Sequence, residues 1–196
     1  MDAVSIPQGT MTVEEFLAWE QTQEGRYELH RGRVVDVYAA YAMAGGSANH
    51  HRIQANLAFM CGNALRGREC RFLGKGPSVV VDEEGTTYHP DGTISCPPVF
   101  LSEKAGTLSN PTVVFEILSP STQKKDQERK FDDYRAMPSV QEVVFIATDK
   151  ARVEVYERRD EGWLLRVYLP ETQVHLASVN VDLSMEELYE DASFEA

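Results

Sequence analysis

The spacing of apolar and polar positions divides the chain into helical and strand-like stretches. Thr12-Val13-Glu14-Glu15 announces the first helix. Thr12 can cap the free amides, and Glu15 three residues on can reach back to close a capping box, with Met11 and Phe16 placed for a hydrophobic staple. The pattern carries this helix to about Gly25. Residues 26–37 hold two alternating segments around Arg31-Gly32, a β-hairpin pattern with Tyr27 and Leu29 on one face and Glu28 and His30 on the other. A second helix is predicted from Ser47 to about Leu65, because Ile53, Leu57, Cys61, Ala64 and Leu65 form one apolar stripe. His50 shares that stripe, and His51 points about 100° away.

Strands follow. Val79-Val80-Val81 and Thr86-Thr87-Tyr88 bracket the turn Asp82-Glu83-Glu84-Gly85, and Pro90-Asp91-Gly92 leads into Thr93-Ile94-Ser95-Cys96. Val113-Val114-Phe115-Glu116-Ile117-Leu118 is the most apolar strand, and its lack of alternation predicts burial on both faces. Ser119-Pro120-Ser121-Thr122 breaks it, with Ser119 and Ser121 serving the turn and the cap of a polar helix over roughly 123–136, where Gln127, Phe131 and Tyr134 share a face. Val143 to Ala147 reads as another buried strand, and a late hairpin pairs Val153-Val155 with Leu164-Val167 about Asp160-Glu161-Gly162. Ser184 and Glu187 cap a short acidic C-terminal helix. The order predicts an α/β (α+β mixed sheet) fold: one mixed sheet flanked by helices, with additional β-hairpins, in a single domain with a core over about 11–157 and residues 158–196 as an appendage.

Composition narrows the class of function. The 196 residues carry 31 acids against 19 bases, a net charge of −12, which excludes a simple polybasic nucleic-acid arm or a basic membrane-surface protein but not a locally basic cleft. Cys61, Cys70 and Cys96 form no CxxC pair, so neither a disulfide scaffold nor a cysteine-rich zinc site is expected. With no apolar signal core and no membrane-length apolar run, the pattern points to a reduced, cytoplasmic, soluble protein. Trp163 and Leu164 in the late hairpin offer apolar surface for a homodimer.

Glu116 is the most informative residue. An ionised carboxylate among large apolar neighbours costs several kcal/mol unless it is paired or bound to metal. Either its strand lies at an edge and Glu116 faces water, or Glu116 lines a cleft and has a cationic partner. Asp91 is either a turn aspartate bonding its own backbone or a second carboxylate that meets Glu116 from the neighbouring strand. Two hard oxygen ligands plus a backbone carbonyl suit Mg²⁺. Lys130 is either a solvent-facing lysine paired with Asp126 across one helical turn or the cation of that cleft. Arg66, Arg68, Arg71 and Lys75 form the densest basic stretch, as a contact to a nucleic-acid backbone or as a solubilising loop.

The order of these residues resembles the PD-(D/E)xK nuclease superfamily, and within it the Uma-two family of restriction-endonuclease-like proteins. The matching pieces are Met11 to Phe16, Tyr27 to Gly32, His50-x-x-Ile53, Pro90-Asp91, Val114 to Thr122, and Asp126-x-x-x-Lys130-x-x-x-Tyr134. The resemblance implies a restriction-endonuclease-like core in which Asp91 and Glu116 are acidic metal ligands. The lysine usual two residues after the glutamate is Leu118 here; in the family a lysine on the following helix stands in for it, a position that the resemblance puts at Lys130. Gly92-Thr93 stand where the family continues with apolar residues. Glu28 and His50 match the family's N-terminal glutamate and helix histidine. Each has an ordinary alternative, as a hairpin charge paired with Arg26 or Arg33 and as a satisfied core histidine. Gln127 lies one turn before Lys130, where it can support the site.

The implied activity is Mg²⁺- or Mn²⁺-dependent endonucleolytic hydrolysis of DNA, with Asp91, Glu116 and the Ile117 carbonyl on the metal and Asp91, Glu116, Lys130, Glu28 and His50 as the catalytic set. Two further readings stand beside it. One is a catalytically inactive nuclease-fold module acting in protein association or regulation. The other is a small-molecule hydrolase using the two carboxylates as acid and base.

Overall fold

The computed structural model describes residues 6–36, 48–82, 84–102, 106–118 and 123–194, the side chains of 123–126 apart. Ser47, Val37 and the Ser119–Thr122 turn therefore lie outside the described residues. The first elements are α1 (Val13–Glu20), β1 (Tyr27–His30), β2 (Arg33–Asp36), α2 (Ala48–Ala64), β3 (Arg71–Gly74), β4 (Ser78–Asp82), β5 (Thr86–Tyr88) and β6 (Gly92–Ser95). The chain continues through β7 (Phe100–Ser102), β8 (Thr107–Leu108), β9 (Val113–Leu118), α3 (Gln123–Ala136), β10 (Glu142–Ala147), β11 (Val153–Arg159) and β12 (Gly162–Tyr168). It closes with β13 (Gln173–Leu176), β14 (Val181–Ser184) and α4 (Met185–Leu188).

The capping box forms as its spacing requires: Glu15 N donates to Thr12 Oγ1 at 3.2 Å and Thr12 N to Glu15 Oε2 at 2.9 Å. The helix stops at Glu20 rather than at Gly25, because the next residues turn to deliver Tyr27 into β1. The hairpin about Arg31-Gly32 pairs Tyr27 with Asp36 and His30 with Arg33. Both turn residues sit at positive φ, 49° and 75°, which suits glycine at the second position.

The strands form two six-stranded sheets instead of one. The first runs β2-β1-β5-β4-β8-β7 and the second β12-β11-β10-β9-β6-β3, while β13 and β14 pair as a separate hairpin. In the second sheet β9 and β10 are parallel, with Glu116 beside Phe145, and β9 is antiparallel to β6. Interior position explains why β9 lacks alternation. Val113, Phe115 and Ile117 pack with Ile53, Leu57 and Cys61 of α2. Val114 and Leu118 face the other way, into a cluster with Tyr134 of α3, Val79 of β4 and Tyr88 of β5. Residues 174–189, part of the expected appendage, place Val174, Leu176, Val181, Leu183 and Leu188 in the α2 cluster.

Two sequence expectations change. Cys70 and Cys96 form a disulfide, so the expected set of reduced thiols is not what the structure holds. No CxxC motif marks this pair. It forms because the antiparallel register of β3 and β6, with Arg71 opposite Ser95, brings the residues just outside each strand together. Cys61 remains a buried thiol, pushed up to about 12 by burial. The stretch from Arg66 to Lys75 is not a free basic loop, since Arg71–Gly74 is strand β3. Arg68 donates to the carbonyls of Val179 and Asn180, and Arg71 to those of Arg68 and Cys70. Among the described residues no helix is long and apolar enough to cross a membrane.

Candidate active site

Glu116 projects from the middle of the second sheet toward α3 and is only 4% exposed. A helix one layer away supplies its partners. Lys130 Nζ donates to Oε2 at 2.8 Å, and the Tyr134 hydroxyl donates to Oε1 at 2.7 Å. Lys130 and Tyr134 are four residues apart, so they lie on one face of α3 and reach the two oxygens of one carboxylate. Of the alternatives the sequence left open, water exposure of Glu116 and a solvent-facing Lys130 are both excluded.

Asp91 arrives from the segment between β5 and β6. Its backbone N–H donates to Phe115 O at 3.1 Å, which stitches it to β9 two residues from the Ile117 amide. That amide donates to Asp91 Oδ2 at 2.8 Å, and His50 Nε2 lies 3.2 Å from Oδ1. His50 sits at the start of α2, so the apolar stripe that buries the helix also aims this ring at Asp91. The Gln54 amide one turn on reaches the Asp91 carbonyl at 3.4 Å. Gly92 has a packing reason. A Cβ there would lie 2.8 Å from the Phe72 ring, so the position that departs from the family pattern is filled by that ring instead.

Glu28, on the face of β1 opposite Tyr27 and Leu29, places Oε1 3.8 Å from Lys130 Nζ and accepts from the His89 amide at 3.3 Å. It is paired with neither Arg26 nor Arg33 by any contact among the described residues. Glu28, His50, Asp91, Glu116 and Lys130 are all buried. Glu116 and Glu28 thus share the Lys130 ammonium, while Asp91 pairs with His50 and feels Lys130 at longer range.

The electrostatics follow from this arrangement. Burial pushes Glu116 up to about 7, against the pull of Lys130 and with added repulsion from Asp91 and Glu28. Burial also acts to raise Asp91. The His50 hydrogen bond and charge, the Ile117 amide and Lys130 outweigh it and hold the carboxyl below its ordinary value. Burial and the neighbouring Glu116 raise the Tyr134 phenol well above its usual value, so it stays a donor. Neighbouring carboxyls driven in opposite directions are a recurrent mark of acid–base sites.

Some contacts were not foreseen. Gln127 turns away from the site, donating to Glu154 at 2.8 Å, because it lies on the α3 face that looks toward β11. Tyr134 carried no assigned role, although its four-residue spacing from Lys130 was the available signal. His89 Nε2 meets Glu20 Oε1 at 2.8 Å behind Glu28. Tyr88 stacks edge-on with Tyr134 and bonds both Asp133 and His30. Neither group had a short-range signature, since each joins residues more than 40 positions apart.

A mixed sheet in which Glu116 of parallel β9 and Asp91, from the segment before β6, come together with a lysine on the next helix is a nuclease-like class of architecture. A solved structure with this fold is described as "a putative nuclease belonging to DUF820" from Anabaena variabilis. It superposes with a TM-score of 0.67 over 91% of this chain and 97% of that one, at 18% identity. The family model Uma2, described as "Putative restriction endonuclease", matches residues 13–186, and the chain belongs to that family. Two similar chains come from Synechocystis sp. "Uncharacterized protein slr1290" is 28% identical over 97% of both chains, and "Uncharacterized protein sll1609" is 29% identical over 79% of this chain and 85% of its own.

Proposed function

We propose that the protein is a divalent-metal-dependent nuclease that hydrolyses DNA phosphodiester bonds. The observation that carries this reading is the buried cluster of carboxylates: Glu28 and Glu116 on the Lys130 ammonium, with Asp91 against His50 beside them. Such a cluster is costly in a low-dielectric pocket unless a proton or a further cation balances it. The donor chemistry fits Mg²⁺ or Mn²⁺, since all three acids offer hard oxygens. The set is not drawn together as a ready-made cage, and among the described residues no group of three or more His, Cys, Asp or Glu side chains takes that form. Asp91, Glu116 and the Ile117 carbonyl are the residues that would hold the ion. When bound, it would acidify an attacking water and stabilise charge developing on the phosphate.

The chain's own residues do the rest. The Ile117 amide and His50 fix the Asp91 carboxylate in its ionised form. Tyr134 orients Glu116 through Oε1, and Lys130, on Oε2, is the donor that would polarise water or contact a non-bridging phosphate oxygen. Glu28 holds the Lys130 ammonium from the opposite side. The net charge of −12 makes tight, sequence-independent duplex binding unfavourable, so affinity for the scissile phosphate depends on the cation.

The test is cleavage of supercoiled and linear DNA with and without Mg²⁺ or Mn²⁺. Metal-dependent cleavage lost in Asp91→Ala and Glu116→Ala is the expected result, and full activity of both variants overturns the reading. The catalytically inactive module is favoured by one observation: each oxygen of Asp91 and Glu116 already has an internal partner. On that reading neither Mg²⁺ nor Mn²⁺ raises the melting temperature. On the nuclease reading one of them does so in the wild type and not in Glu116→Ala.

A further inference from the structure

The edge strands of the two large sheets are unequal. Among the described residues β2, β3 and β7 hold four, four and three residues, whereas β12 holds seven. β12 pairs on one side only, with β11, from Val153 opposite Tyr168 to Arg159 opposite Gly162. Its outer row of backbone donors and acceptors has no strand partner among the described residues. Natural sheets blunt such edges with short strands, lysines, prolines or bulges. β12 has none of these. Between Glu161 and Glu171 the sole charge is Arg166, in a chain that otherwise carries a large acidic excess. Leu164, Leu165, Val167 and Leu169 are 41–51% exposed.

The edge is also packed in place at both ends. Trp163 packs edge-on against Phe131 of α3, 5.5 Å between centroids, with the Arg158 guanidinium 4.5 Å over its ring. Tyr168 packs against the α2 cluster at the other end. Both ends are anchored, so little ordering cost opposes pairing.

We propose that β12 pairs antiparallel with β12 of a second copy of this chain, about a two-fold axis at Leu165. The register follows from three facts. Directly opposite residues in an antiparallel pair share a face, so a symmetric pair must be centred on a residue. The centre of Gly162–Tyr168 is Leu165, which makes full-length pairing the symmetric solution. That centre sets Leu165 against its own copy, Trp163 against Val167 and Arg166 against Leu164. A centre at Arg166 would set two guanidiniums face to face. The nearest acids, Glu161 and Glu171, fall outside the paired span, so the approaching surfaces lack the like-charge repulsion that the rest of this acidic molecule presents. A nucleic-acid strand does not fit this surface, which offers one base flanked by acids. The pairing is independent of the Glu116 centre, and its readout is mass rather than activity.

Sedimentation equilibrium of the full chain is the test, with two variants. Wild type is expected at twice the chain mass. Leu165→Lys is expected at the monomer mass with an unchanged far-UV spectrum, since the replaced side chain is half-exposed. Leu165→Cys is expected to form a disulfide-linked dimer on mild oxidation, whereas Phe59→Cys, at a position 72% exposed on α2, is not. A wild type that stays monomeric across the accessible concentration range overturns the inference. So does a dimer that survives Leu165→Lys and fails to cross-link through Leu165→Cys.

Discussion

Glu116 and Glu142 lie in adjacent parallel strands of one sheet, three rungs apart in register, and both are buried. They are held by different kinds of partner. Glu142 accepts from the backbone amides of Ala177 and Ser178, at 2.9 and 3.1 Å, and from the Ser178 hydroxyl. Those donors belong to one loop and complete the carboxylate locally. Glu116 accepts from two long side chains of a helix, with Asp91 and Glu28 in electrostatic reach. Burial raises both carboxyls. At Glu142 the Ser178 and Ala177 bonds offset part of the rise and Glu157 adds to it, whereas at Glu116 Lys130 is the offset and two neighbouring carboxylates, Asp91 and Glu28, add to it. A buried acid satisfied by backbone donors is a clamp for a loop. One that shares its ammonium with a second acid and lies beside a third carries a charge imbalance that a proton or a further cation can relieve.

The largest test of this contrast is catalytic. Glu116→Ala is expected to lower metal-dependent DNA cleavage by on the order of 100-fold or more, since it removes several kcal/mol of transition-state stabilisation, while Glu142→Gln leaves it within a few-fold. Equal losses in the two variants, read from initial rates at matched fold stability, would dissolve the distinction. Next comes Lys130→Ala, which strands Glu116 beside Asp91 and Glu28. Urea unfolding at neutral pH is expected to show a loss of about 3–5 kcal/mol; a loss typical of an exposed pair, below about 1 kcal/mol, would mean the pocket is effectively solvated. Tyr134→Phe removes one bond to a charged acceptor, for about 1.5–3 kcal/mol. Glu142→Ala leaves the Ala177 and Ser178 amides unpaired, for about 1–3 kcal/mol.

The smallest effect is a pH dependence. Glu142 is held above its unfolded value of 4.5, so its protonated form favours folding. That contribution is complete below the unfolded value and fades as pH rises through the folded one. The stability of wild type relative to Glu142→Gln is therefore expected to fall as pH is raised from about 4.5 toward neutrality. A flat difference across that window would show that the loop donors cancel the burial cost.

Much of this arrangement was legible from local pattern. The Thr12 capping box, the Arg31-Gly32 hairpin, the α2 stripe and the unalternating β9 all formed, because each is governed by neighbours within a few residues. Glu116 stood out for the same reason: a charge inside an apolar run is anomalous at short range. Gln127 misled, because helical spacing assigns a face but not what that face meets, and β11 carries Glu154 opposite it. The Cys70–Cys96 pair, strands β3, β7, β8, β13 and β14, and the split into two sheets left no local mark.

The sequence by itself determined the main helices and the central strands, that Glu116 is anomalous in an apolar run, and, through the order of its acids and lysine, the family to which the chain belongs. Only the tertiary structure decided which partner each group received. Lys130 and Tyr134 share one carboxylate, His50 reaches Asp91, Glu142 goes to a loop, and β12 is left as an open edge. The physical reason is range. Capping, periodicity and turn chemistry act over a few residues, whereas burial, charge balance and strand register are set by segments that meet only after the chain has folded.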